Sequence, residues 1–66
     1  MDLRDLYEKV IEVNVCTGAI ITGKVIDFYP SVGTDSGEDE IDIFPNGTNH
    51  IILLKKSDIL SVKILG

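Results

Sequence analysis

The first ten residues of this chain follow a different hydrophobic period from the rest. Residues 2–10 place apolar side chains at the i, i+3, i+4 and i+7 positions of one helical face: Leu3, Leu6, Tyr7 and Val10. This spacing predicts a short amphipathic helix. So short a helix is not stable alone in water, and we expect it to lie over one open end of the folded domain.

The next two segments alternate as β-strands. Apolar and polar residues alternate through Ile11–Cys16, and a turn at Thr17-Gly18 leads into a long strand that reaches Tyr29. Gly23 lies in the middle of this second strand. Because a glycine inside a strand marks a bulge or a tight bend, we predict that the strand bends there and that its inward-facing register changes afterwards.

The second half of the chain contains a loop and three further strands. Residues 30–39 have no periodicity and predict an irregular, acidic loop. Glu40–Phe44 alternates as a strand, residues 45–48 (PNGT) predict a hairpin turn, and His50–Lys55 and residues 59–65 form the last two strands. The predicted fold is therefore mainly β: a short N-terminal helix followed by a five-stranded, strongly bent antiparallel sheet that forms a small barrel of the SH3-like or oligonucleotide-binding kind.

The last two strands carry more apolar residues than a single copy is expected to bury. Leu60, Val62 and Ile64 alternate and are predicted to face the core. The other apolar residues of these strands lie on the opposite face. A chain of 66 residues hardly has enough further structure to bury that face as well. We therefore predict a homo-oligomer whose interface includes Ile51, Ile52, Leu53, Leu54, Ile59 and Leu65.

Length and charge limit the classes of function. The chain has room for one domain, residues 1–66, and its net charge of −5 argues against a general affinity for nucleic-acid backbones. No apolar run reaches the roughly 18 residues of a membrane span, and no secretory signal is recognised, so no membrane partner is expected. The lone Cys16 cannot form an internal disulfide, and a reducing cytoplasm is the expected compartment.

No pattern of catalytic or metal-ligating residues is found. The acidic residues between Asp35 and Asp42 do not have the spacing of an EF-hand calcium loop. His50 has no second histidine or nearby cysteine beside it, and Cys16 has no basic neighbour in sequence that would activate it. We therefore expect no catalytic residues, no metal and no cofactor, and a protein that is not an enzyme.

The order of these elements resembles the Sm-like family. The resemblance covers a helix, a hairpin with the pattern G-x-x-x-x-G-x-V (residues 18–25), a loop, a strand, a tight turn and a final pair of strands. Residues 54–59 (LKKSDI) stand where that family has a hydrophobic–Arg–Gly–polar–polar–Ile motif. Residues 23–29 (GKVIDFY), 38–43 (EDEIDI) and 53–64 (LLKKSDILSVKI) are similar to small uncharacterised bacterial Sm-like proteins.

The resemblance implies a ring in which the fourth strand of one copy pairs with the fifth of the next. It also implies a pore whose two loops bind single-stranded, uridine-rich RNA. Tyr29 and Gly33 stand where the family's first loop has Asp and Asn, and Lys55-Lys56 replaces the Arg-Gly of its second loop. Lysine keeps a charge for phosphate but lacks the planar fork of arginine. The RNA contacts carried over are Lys55 and Lys56 for phosphate and Tyr29 for stacking on a base.

Two functions therefore fit the sequence. The first is a non-catalytic, homo-oligomeric Sm-like binding module with single-stranded RNA as its ligand. The alternative is a protein–protein interaction scaffold that uses its edge strands or acidic loop and has no role with nucleic acid. A ring and a dimer paired through strands both cover the excess apolar surface.

Overall fold

A single open β-sheet forms the framework of the molecule. The computed structural model describes residues 1–66. It contains β1 (Val10–Val15), β2 (Ile20–Tyr29), β3 (Glu40–Pro45), β4 (Ile52–Lys55) and β5 (Ile59–Ile64). Every neighbouring pair is antiparallel, in the order β4-β3-β2-β1-β5. β4 and β5 are consecutive in the chain but stand at opposite edges of the sheet, which is not closed.

The core lies on one face of this sheet. The alternation predicted for the first and third strands is confirmed, since the apolar residues of β1 and β3 at alternate positions are buried. The buried apolar residues are Leu3, Leu6, Ile11, Val13, Val15, Val25, Ile41, Ile43, Leu54 and Ile59. The polar residues between them face the opposite side, which we call the outer face.

The predicted N-terminal helix over residues 2–10 is wrong. The segment forms only a 3₁₀ turn at Leu3–Leu6, and β1 already begins at Val10. Between them Glu8 adopts a left-handed backbone (φ 65°), and its N–H donates to the carbonyl oxygen of Val25 at 2.9 Å. Both leucines of the turn are buried, as the spacing required, whereas Tyr7 is exposed. No helix of the structure has the length and apolar character needed to cross a membrane.

β2 changes register as predicted, but the bulge is not at Gly23. Relative to β3, β2 gains one residue between Val25 and Asp27, so Ile26 is the bulged position. Gly23 has a different role, because a Cβ built there would overlap the carbonyl oxygen of Phe44 on β3. The glycine is required by the close approach of two backbones.

The inward positions predicted for the last strand are only partly correct. Leu60 is the extra residue of a bulge opposite β1 and is exposed, whereas Ile59 is buried. Val62 packs against the core, and Ile64, at the end of the edge strand, is exposed. The bulge moves the alternation by one residue, which sequence periodicity does not reveal.

Candidate functional site

The residues predicted to contact RNA lie at one end of the molecule. Tyr29 on β2 faces Glu40 on β3, and Glu40 faces Lys55 on β4. Directly opposed residues share one face of a sheet, so these side chains stand in a row on the outer face. Lys56 follows at once, in a 3₁₀ turn over Lys56–Asp58. The fold therefore brings Tyr29 and the lysines to the same end, but it puts a carboxylate between the ring and Lys55.

A cavity lies beside this row. Its volume is about 310 Å³, and its lining contains carboxylates but no lysine, arginine or histidine. The lining residues are Tyr29, Gly33, Thr34, Asp35, Glu40, Asp42 and Leu53. Neither Lys55 nor Lys56 belongs to it. The cavity is therefore an acidic space, separate from the lysines that would bind phosphate.

Tyr29 is held by an acidic neighbour. Its hydroxyl donates a hydrogen bond to Oδ2 of Asp42 at 2.6 Å. This bond raises the pKa of Tyr29 to about 12, with smaller contributions from desolvation and from the charges of Asp42 and Asp27. The phenol stays protonated at neutral pH, and its hydroxyl is already engaged. Only the exposed part of the ring is available to stack on a ligand.

The segment from Lys55 to Asp58, which we call the lysine turn, is bound to the loop over residues 30–39, which we call the acidic loop. The backbone N–H of Ser57 donates to Oε1 of Glu38 at 2.9 Å, and its hydroxyl donates to Oε2 of the same carboxylate at 3.0 Å. The N–H of Lys56 donates to the carbonyl oxygen of Asp39 at 3.0 Å. Sequence reasoning missed these contacts, which join two segments 19 residues apart.

The acidic loop is ordered by hydrogen bonds of its own. The N–H of Ser31 donates to Oδ1 of Asp39 at 2.8 Å, and the Thr34 hydroxyl donates to the carbonyl oxygen of Glu38 at 2.7 Å. A further bond joins the loop to β3, where the Ser36 hydroxyl donates to Oε2 of Glu40 at 2.6 Å. Short polar side chains bond nearby backbone in this way, so the Ser, Thr and Asp content of the loop was the available signal.

The residues predicted to form an oligomer interface fall into two groups. Leu54 and Ile59 are buried in the core of the single chain, and Ile52 packs against it. The other three present apolar surface: Ile51 is 55% exposed, Leu53 52% and Leu65 50%. Ile51 directly precedes edge strand β4, Leu53 lies within it, and Leu65 directly follows edge strand β5. Apolar surface is thus exposed along both unpaired edges.

The remaining candidate residues do not form a chemical centre. Cys16 is free and exposed, and His50 is exposed before β4. The structure contains no group of three or more His, Cys, Asp or Glu side chains placed to hold a metal ion. The site that remains is the end of the molecule formed by the lysine turn, the acidic loop and Tyr29.

Comparison with protein-family models, with curated proteins and with solved structures finds no match to this chain. The Sm-like resemblance therefore stays a hypothesis. Function has to be argued from the sheet edges and from the end of the molecule just described.

Proposed function

We propose that this chain is a non-catalytic, homo-oligomeric binding module of the Sm-like small-barrel type, working in a reducing cytoplasm, in which β4 of one copy pairs with β5 of the next. The observation that carries the proposal is the open sheet with β4 and β5 at opposite edges. An unpaired edge presents a row of free backbone donors and acceptors, which another strand can satisfy. Two different edges on one copy allow head-to-tail association, which forms a ring if the rotation closes.

Exposed apolar side chains along both edges support the same proposal. Ile51 and Leu53 belong to the β4 edge, and Leu60, Ile64 and Leu65 belong to the β5 edge; all are at least half exposed. Covering the exposed half of such a side chain contributes about 1 kcal/mol. Backbone hydrogen bonds between the edges would add to this. The two sheet edges are therefore the surfaces on which binding of a partner strand contributes the most free energy.

Sedimentation velocity tests this assembly. Replacing Ile51 and Leu53 together by lysine places charges along β4, and we expect the oligomer to dissociate to monomers. Val32→Lys is the matched control, because Val32 is 93% exposed and lies in the acidic loop rather than on either edge strand. If both variants sediment like the wild type, the apolar edge does not hold copies together.

Single-stranded RNA binding is the second candidate function. Lys55, Lys56 and Tyr29 lie at one end of the molecule, and an oligomer would repeat them along one rim. Glu40 and Asp42, on the same face, would repel phosphate. For this reason the geometry favours a scaffold built through the edges over an RNA-binding protein.

RNA binding is tested by replacing Lys55 and Lys56 together by glutamate. If RNA is the ligand, affinity for a uridine oligonucleotide falls in the double variant, and the slope of log K against log salt becomes shallower by roughly the number of phosphate contacts removed. Unchanged retention of the oligonucleotide would remove this candidate and leave the scaffold.

A further inference from the structure

The lysine turn already holds an anionic group. Two adjacent donors, the N–H and the hydroxyl of Ser57, bind the two oxygens of the Glu38 carboxylate at 2.9 and 3.0 Å. Lys55 and Lys56 precede them directly, and both lysines are exposed. Paired donors next to lysines are groups that also bind a phosphate, whose oxygens accept the same hydrogen bonds.

We propose that the lysine turn is a binding site for a phosphate group and that Glu38 occupies it as an internal competitor. The acidic loop is then an autoinhibitory strap, and a phosphate gains the Ser57 donors only when the Glu38 carboxylate leaves them. The proposal rests on the phosphate contacts that the RNA candidate assigns to Lys55 and Lys56 and adds the regulation of that site by Glu38; it does not depend on assembly through the edges. The phosphate could belong to a single-stranded RNA or be a free phosphate, and the chemistry of recognition is shared.

Glu38 can leave the turn without unfolding the loop. The bonds that tie Glu38 into the loop are made by its backbone: its carbonyl oxygen accepts from the Thr34 hydroxyl at 2.7 Å, and its N–H donates to the Ser36 hydroxyl at 3.2 Å. The bond from Ser31 to Asp39 does not involve the Glu38 side chain either. Rotation about the side-chain torsions of Glu38 is therefore sufficient to free the Ser57 donors. Such rotations are fast for side chains that are not fully buried.

The negative charges on the lysine turn also oppose the binding of a phosphate. The carboxylate of Asp58 accepts from the Lys55 N–H at 2.9 Å, and Glu38 is a second acidic side chain on the same short turn. Both repel an incoming phosphate and offset the attraction of the two lysines. Glu38→Ala therefore frees both donors and reduces the repulsion, whereas Glu38→Gln removes the charge and one of the two acceptor oxygens. The gain from the donors is specific to Glu38, whereas the gain from charge is shared by any nearby acid.

Glu38→Gln and Asp35→Asn separate these two effects. Both remove one negative charge from the acidic loop, but Asp35 makes no hydrogen bond to the lysine turn and lines the cavity instead. Binding of a fluorescent single-stranded uridine oligonucleotide is measured by anisotropy at low salt. We expect Glu38→Gln to bind about tenfold more tightly than the wild type, and Asp35→Asn to differ by about twofold or less.

A second readout locates the site. The ¹⁵N amide resonance of Ser57 should shift when inorganic phosphate is added to Glu38→Gln, and less in the wild type. Adding Lys55→Glu and Lys56→Glu to Glu38→Gln should abolish the gain in both assays. A response to the oligonucleotide alone would assign the site to a nucleic-acid phosphate, and a response to both probes would assign it to phosphate in general.

The proposal is overturned if Glu38→Gln and Glu38→Ala, shown by circular dichroism to be folded, bind both probes no more tightly than Asp35→Asn. Sedimentation reports on assembly independently. A monomeric wild type with a tenfold gain in Glu38→Gln would remove the proposed edge pairing and keep the strap.

Discussion

The substitution Gly23→Ala tests the close packing of β2 against β3. Gly23 lies opposite Pro45 in the β2–β3 pair and opposite Ile11 in the β1–β2 pair. A Cβ at this position would overlap the carbonyl oxygen of Phe44 and would lie 2.7 Å from the Cα of Pro45. These are backbone atoms of a paired strand, so no side-chain rotation can relieve the overlap.

The expected loss follows from this geometry. An ordinary contact of a Cβ begins at 3.4 Å, so the two strands would have to separate by at least 0.7 Å (3.4 − 2.7) in the middle of the sheet. Overpacking of this kind costs about 1–3 kcal/mol, and we expect the upper end because the obstacle is backbone. A domain of this size has a total stability of roughly 3–10 kcal/mol. The variant should therefore melt at least about 12 °C below the wild type.

Thermal unfolding followed by circular dichroism measures this difference, at one protomer concentration for all variants because assembly raises stability by mass action. Gly33→Ala is the control, since a Cβ there meets nothing within 4 Å and its φ is not left-handed. We expect the control to stay within about 0.5 kcal/mol of the wild type or to gain slightly. If Gly23→Ala melts within about 2 °C of the wild type, the close approach does not constrain the fold.

Three further outcomes are expected. Because its hydroxyl donates to Asp42, Tyr29 should show a pKa of about 12 in ultraviolet titration of a Tyr7→Phe background, and Asp42→Asn should lower that pKa. The stabilisation of the fold that follows from this raised pKa is complete below pH 10 and is lost as pH rises through 12. Titration near pH 10 in that background would show that the bond does not persist in solution. Glu8→Gly should stabilise by about 0.5 kcal/mol in urea denaturation, because glycine adopts the φ of 65° without steric cost, and a clear loss would contradict the left-handed assignment. Leu54→Ala should cost about 2–5 kcal/mol in the same assay, as expected for a side chain only 5% exposed, and a loss under 1 kcal/mol would place it outside the core.

Strands could be predicted from the sequence where burial of one face of the sheet makes apolar and polar residues alternate. Alternation in β1 and β3 identifies their buried residues correctly, and the 45–48 turn separates β3 from β4 as expected. The N-terminal helix could not be separated from a 3₁₀ turn, because Leu3 and Leu6 at a spacing of three fit both. The left-handed backbone of Glu8, two residues after the turn, has no counterpart in the hydrophobic pattern.

The candidate site was predicted only in its individual residues. Tyr29, Lys55 and Lys56 were identified by chemistry and by resemblance, and the strand register does bring them to one end. The bonds from Ser57 to Glu38 and from Tyr29 to Asp42 could not be predicted, because they join segments that meet only through the tertiary fold. Such contacts leave no local periodicity. They also change the interpretation of the site, since both partners are acidic.

The native mass of the wild-type protein, measured by light scattering on a sizing column, tests the proposed assembly most directly. Pairing of β4 with β5 from copy to copy predicts, where the rotation closes, a ring whose mass does not change on dilution, and a mass of about six or seven chains would support the ring that the Sm-like resemblance implies. A monomer would show that the exposed edges do not associate. A dimer would show that they associate without forming a ring, and would remove the repeated rim on which the RNA candidate depends.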